Sequence, residues 1–265
     1  MWTQPDIYHW TSLLDEVQRR YPDGTPQGAW WVPARLGGGA PSAEEADAFL
    51  RALATRWRHP TTTGPVASTG PGSVDGTVGD LLASMDRNGV DLACVCMIAT
   101  KPAQNQGILD FCRQIRSDRL EPFPSIHPDT PEPARWVARF VEAGFRGLKL
   151  HPMYQAFAAD EERVMPIYRA AAEAGLPVTL HCGRDVAYPP GDDRASPQRM
   201  RRLLDEIPGL KLIATHMGGW RMWHDVDRLL TGTDCWMETS VTFSQLPCSR
   251  VVDMIRRHGT GRVLF

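Results

Sequence analysis

Gly147-Leu-Lys-Leu-His-Pro152 is a short apolar run closed by a lysine, a histidine and a proline. Two later segments repeat the design: Leu176-Pro-Val-Thr-Leu-His-Cys-Gly183 and Leu212-Ile-Ala-Thr-His-Met-Gly-Gly219. An apolar run bounded by such breakers reads as a parallel strand buried on both faces. In α/β barrels and open α/β sheets, the polar residue at the carboxyl end of such a strand stands where active sites are built. Three imidazoles and an amine in those places predict a metal centre.

Working outward, strand and helix patterns alternate from about residue 77 onward. A helix over 77–88 carries Val78, Leu81, Leu82 and Met85 on one stripe and stops at Gly89. Strand 91–98, helix 104–117 and strand 121–126 follow. Thr130 is the expected N-cap of a helix that runs to 143, before Gly144. Strand 146–150 leads to helix 161–174, and strand 177–181 leads to helix 196–206, with Ser196 as N-cap and Pro197 as first helical residue. Strand 210–215, helix 220–230, strand 234–239, helix 245–258 and strand 261–265 complete the series. Such alternation implies right-handed βαβ units around a parallel sheet.

The count is seven strands, whereas a closed (β/α)8 barrel has eight. Residues 1–76 read as helices at 11–20 and 43–58 with Gly/Pro-rich loops at 33–41 and 60–76, and offer no convincing buried strand. The expectation is one TIM-barrel domain over 1–265: an irregular part at 1–76, regular units at 77–265, and neither the first strand nor the last helix. Met1-Trp2 would then follow directly on the missing strand in a longer polypeptide.

Bulk composition narrows the function. At 265 residues the chain fits one large domain, and a net charge of −2 favours neither nucleic acid nor membrane as partner. The apolar stretch Leu92–Ala99 is far too short to span a bilayer, and no start resembles a signal peptide. A cytoplasmic protein is expected, acting on a small molecule, with a homo-oligomer left open. The six cysteines (Cys94, Cys96, Cys112, Cys182, Cys235 and Cys248) form no C-x-x-C knuckle; several read as buried free thiols. Gly37-Gly38-Gly39 has no strand before it and reads poorly as a nucleotide loop.

The motifs Gly144-Phe-Arg-Gly-Leu-Lys-Leu-His-Pro-Met-Tyr-Gln155, His181-Cys-Gly, Thr215-His-Met-Gly-Gly-Trp220 and Arg262-Val-Leu-Phe265 resemble the amidohydrolase-related family, the "amidohydrolase 2" branch. That resemblance covers about residues 76–265. It implies a metal-dependent TIM barrel that hydrolyses a small amide, lactone or ester through a metal-activated water. The alternative it implies is nonoxidative decarboxylation of a small carboxylic acid, aromatic acids included. It also implies His181 as a metal ligand of the fifth strand, and His216 as the sixth-strand histidine, either second ligand or general acid/base. The family's H-x-H has no counterpart; His9 is a poor substitute. Phe265 ends the chain where the family's Gly-(Ser/Thr)-Asp would begin.

The residues themselves add the rest. Zinc suits imidazole ligands best, with manganese or iron as alternatives once carboxylates join. Lys149 alternates inward with His151 while Leu148 and Leu150 face the helices. A buried lysine is costly unless paired or modified. Lys149 is therefore a third candidate ligand, or else a substrate-carboxylate anchor or plain ion-pair partner. His151 is expected in the substrate pocket, together with Tyr154 and Arg184, whose planar guanidinium suits a carboxylate. His127, Asp185, Trp220 and Ser240 are rim candidates for which an ordinary loop role is the simpler reading. Glu238, sharing a face with Ser240, could orient a ligand histidine. A third class stays open: a metal-free barrel serving as a binding or scaffold protein, since His181, His216 and Lys149 alone are few for tight zinc.

Overall fold

A computed structural model describes residues 78–264, other than 116, 186, 187, 189 and 190. The helices and loops expected at 11–20, 33–41, 43–58 and 60–76, with His9, the glycine run at 37–39 and Phe265, lie outside the described residues. Within them, seven helices alternate with seven parallel strands: α1 (Val78–Asn88), β1 (Ala93–Cys96), α2 (Asn105–Gln114), β2 (Leu120–Phe123), α3 (Pro133–Glu142), β3 (Leu148–Leu150), α4 (Met165–Glu173), β4 (Val178–Leu180), α5 (Pro197–Glu206), β5 (Leu212–Ala214), α6 (Trp223–Leu229), β6 (Trp236–Glu238), α7 (Cys248–His258) and β7 (Val263–Leu264). The expected alternation is present element for element, as a partial (β/α) barrel. No helix among the described residues is long and apolar enough to cross a membrane.

The strands form two ladders, β1-β2 and β3-β4-β5-β6-β7. Register in the larger one aligns Lys149 with Thr179 and Ile213, and Leu150 with Leu180 and Ala214. Leu148, Leu150, Val178, Leu180, Leu212 and Ala214 are wholly buried and form the layer toward the helices. Each large aliphatic chain there stabilises the fold by about 1.5–3 kcal/mol relative to exposure. The alternate residues, Lys149, Thr179 and Ile213, take the opposite face. Pairing runs one residue past the strands, since His181 N donates to Leu150 O at 3.2 Å and Thr215 N to Leu180 O at 3.1 Å. This carries His151, His181 and Thr215 to one rim. Outside the sheet, α3 packs on α4 and α5 on α6.

The two ladders meet where Lys149 N donates to Pro124 O at 2.9 Å. Gly147 makes the approach feasible: a Cβ there would lie 2.2 Å from the ring of Phe123. Phe123 is 1 % exposed and has nowhere to move.

Two local expectations need correction. Thr130 is not the cap of α3. Its hydroxyl accepts from Asn105 Nδ2 at 2.7 Å, and the helix starts after Glu132, at φ 49°. Helix α6 begins at Trp223 rather than 220, because Trp220 is held by backbone bonds: Trp220 N donates to Cys182 O at 3.0 Å, and Arg184 N donates to Trp220 O at 2.9 Å. Of the six free thiols, Cys112, Cys182, Cys235 and Cys248 are buried, as expected of several of them, while Cys94 and Cys96 on β1 are exposed.

Candidate metal centre

The rim of β3–β6 gathers the predicted polar residues from four successive strand ends. His151 follows β3, and a tight turn brings Gln155 N back to His151 O at 3.0 Å. His181 follows β4. Beyond it Gly183 takes a left-handed φ of 93°, so that a Cβ would lie 2.1 Å from Trp220 N. That close passage turns the chain inward and presents Asp185. His216 follows Thr215 in a left-handed conformation of φ 58°, with Met217 alike at 51°. Such strain in non-glycine residues is characteristic of functional loops.

His151, His181 and Asp185 offer ligand atoms that all lie within 4.8 Å of one another. Asp185 Oδ2 is 3.8 Å from His151 Nε2 and 4.0 Å from His181 Nε2, and its side chain is only 6 % exposed. The imidazoles of His151 and His181 stack at 4.1 Å with 10° between planes, and Tyr154 stacks on the other face of His151 at 3.9 Å. Both imidazoles are held neutral. Burial is the main cause, and the charges of Lys149 and the neighbouring histidines push both pKa values further below the ordinary 6.5. Neutral imidazole is the ligand form.

A directed hydrogen-bond chain leads into this cluster. Glu238 Oε2 accepts from Ser240 N at 2.9 Å, while its Oε1 accepts from Ser240 Oγ at 2.6 Å and His216 N at 2.8 Å. With its proton committed to Glu238, Ser240 Oγ is an acceptor for His216 Nδ1 at 2.8 Å. His216 Nε2 then carries a lone pair facing His181 Nδ1 at 3.1 Å. Continued one step, the same polarity places a proton on His181 Nδ1, while the Arg184 carbonyl 3.2 Å from Nε2, an acceptor only, calls for a proton there, so the two nitrogens of this neutral ring compete for one proton. A carboxylate thus sets the tautomer of His216 through Ser240, in the manner of groups that orient metal ligands.

Two neutral imidazoles and a buried carboxylate suit zinc, manganese or iron alike, so the donor set fits a divalent cation. His216 is not a member of the three-residue donor group. Lys149 is 8 % exposed and contributes a buried positive charge that acts on both imidazoles. Of the residues expected in the substrate pocket, Tyr154 lies against His151, whereas Arg184 is exposed and meets His181 only through its carbonyl, 3.2 Å from Nε2. Trp220 and Trp223 are buried, and Trp223 Nε1 donates to His216 O at 2.9 Å. His127 is buried behind β2, its Nδ1 accepting from Asp129 N at 3.1 Å.

Sequence reasoning undervalued Asp185 and passed over Gln155. A signal for Asp185 existed: it stands four residues after a strand-end histidine, just past a Gly that permits the inward turn.

Comparison with known proteins follows the same lines. No curated protein sequence matches the chain. Among solved structures, an uncharacterized TIM-barrel protein from Bordetella bronchiseptica is similar at 18 % identity and TM-score 0.55, over 71 % of this chain and 69 % of that one. The 5-carboxyvanillate decarboxylase of Sphingomonas paucimobilis is similar at 20 % identity and TM-score 0.54, over 71 % of each. The corresponding enzyme of Novosphingobium aromaticivorans, solved with manganese and 4-hydroxy-3-methoxy-5-nitrobenzoic acid, reaches 20 % and 0.51, over 69 % and 68 %. These likenesses establish a shared fold. The family model described as "Amidohydrolase" matches residues 65–258, and the chain belongs to that family.

Proposed function

We propose that this chain supplies the centre of a metal-dependent hydrolase acting on a small-molecule amide, lactone or ester. His151, His181 and Asp185 hold the cation in this reading. A divalent cation there polarises a substrate oxygen and acidifies water. The observation that carries the reading is the chain from Glu238 through Ser240 and His216 to His181. It gives His216 an Nε2 lone pair at the edge of the donor cluster, facing His181 Nδ1 at 3.1 Å; released from that contact, the imidazole takes a proton and later returns it. Ser240 and Glu238 hold that ring in one tautomer throughout the cycle. Lys149, wherever its amine meets the substrate, stabilises negative charge that develops beside the imidazoles.

A second reading, decarboxylation of a small carboxylic acid, is favoured by the buried charge of Lys149, which suits a substrate carboxylate. The two decarboxylases among the similar structures support it as well. Here His216 gives its proton to carbon instead of taking one from water. A panel of esters, lactones, amides and aromatic acids, assayed with zinc or manganese added, separates the readings. Hydrolysis releases acid and no CO₂; decarboxylation releases CO₂ from the acids alone. Turnover lost in His216→Ala with metal binding kept supports either reaction. A panel with no turnover and no bound metal leaves the binding or scaffold role.

A further inference from the structure

We infer that Gln155 is a positioning residue for the site: its carboxamide fixes His151 and locks the β1-β2 ladder to the catalytic ladder. The inference rests on the metal-centre reading above.

Gln155 is fully buried. Its Oε1 accepts from His151 N at 2.7 Å, while Nε2 donates to Ala99 O and to Ile126 O, both at 2.9 Å, and lies 3.3 Å from Ser125 Oγ. Both amide protons and the carbonyl are thereby used, and each partner's chemistry agrees with the assigned orientation. The partners come from three places. Ala99 is three residues beyond β1, Ile126 three residues beyond β2, and His151 directly follows β3. One side chain therefore ties three successive strand ends, at the rim where, among the described residues, the two ladders have no further strand pairing.

The consequence for the site is local. His151 N is held by Gln155 Oε1 and His151 O by Gln155 N, so both backbone groups of this residue answer to one partner. Its imidazole then has only its side-chain torsions to adjust, against Tyr154 on one face and His181 on the other. Loss of the amide frees the His151 backbone and leaves the Ala99 and Ile126 carbonyls without this donor. Partners that orient ligands in this way typically change metal affinity by about 10- to 100-fold.

The test is cobalt(II) titration followed by visible absorption, comparing the full chain with Gln155→Leu and Asn105→Ala. Asn105 is equally buried and makes comparable hydrogen bonds, to Thr130 and to His127 N, without touching His151. The expected result is cobalt affinity weakened about 10- to 100-fold with an altered spectrum in Gln155→Leu, and neither change in Asn105→Ala. Parent-like affinity and spectrum in Gln155→Leu, or an equal loss in Asn105→Ala, overturns the inference. Where Gln155→Leu does not fold, Gln155→Asn keeps the amide but shortens its reach by one methylene, and is expected to behave alike. If the parent takes up no cobalt, the metal reading fails by itself. The His151 imidazole nitrogen shifts in the metal-free chain then decide: a change confined to Gln155 variants supports positioning, and no change refutes it.

Discussion

The β3–β7 ladder and the β1-β2 pair share one strand–helix design but divide the labour. Every residue of β3, β4 and β5 is buried, and the rim beyond β3–β6 carries His151, His181, Asp185, His216, Glu238 and Ser240. Strand β1 alternates half-buried and exposed positions; from the ends of β1 and β2 the Ala99 and Ile126 carbonyls and the Ser125 hydroxyl meet Gln155, and the Cys96 thiol lies within electrostatic reach of Lys149 and Glu238. The titratable groups of the site thus sit at the ends of strands in the larger ladder, and the smaller one, buried in β2 but half-covered in β1, serves as a brace.

The comparison can be broken most severely at Gly183. An added Cβ meets backbone atoms of Trp220 and Gly219, which cannot rotate aside, in a residue already at φ 93°. Gly183→Ala is expected to cost about 3 kcal/mol or more and to displace Asp185. Urea denaturation measures the first effect and metal binding the second. Parent-like values for both would mean that the turn yields more easily than its contacts suggest.

At the seam between the ladders, Gly147→Ala drives a methyl into the buried Phe123 ring. Overpacking of this kind costs about 1–3 kcal/mol. Faster amide hydrogen exchange is expected in β1 and β2, with β4 and β5 unaffected. Uniform acceleration would show that the two ladders open as one unit.

Glu238→Gln tests the chemistry of the larger ladder with little change of shape. The amide can donate where the carboxylate only accepts, so the polarity of the Ser240–His216–His181 chain is lost. Turnover should fall about 10- to 100-fold with the thermal midpoint nearly unchanged. Parent-like turnover would remove the relay from the account.

Much of this arrangement was legible in the sequence. The short apolar runs at β3, β4 and β5 were the clearest signal, because strands buried on both faces need largely aliphatic sequence, and the regular alternation with helices located the other four. Gly89, Gly144 and Gly175 sit in left-handed conformations where helices were expected to stop. The errors share one cause. The cap at Thr130 and the start of α6 depend on partners distant in the chain, namely Asn105 and Cys182. Gln155 was illegible for the same reason, since its partners lie 29 and 56 positions away.

The smallest effect concerns the opposite end of the larger ladder. His258 is buried, with Nε2 bonded to Cys235 O at 2.9 Å and Nδ1 accepting from Gly232 N at 3.2 Å. Both nitrogens are satisfied only in the neutral ring. Burial, opposed by the bond to Cys235 and aided by Arg262, holds the folded pKa below the ordinary 6.5. The unfolded chain therefore binds the proton first, so stability is full above pH 6.5 and declines as pH falls below it. The urea midpoint should drop between pH 7 and 5, by less in His258→Gln. Equal slopes would assign the loss to other buried histidines such as His127, whose pKa burial also lowers.

The central claim is that His151, His181 and Asp185 hold a divalent cation. Equilibrium dialysis against zinc and manganese, with elemental analysis of the parent, His181→Ala and Asp185→Asn, tests it most directly. The account predicts about one ion per parent chain and loss of that ion in both variants. Equal metal content in all three proteins, or none in the parent, would contradict it.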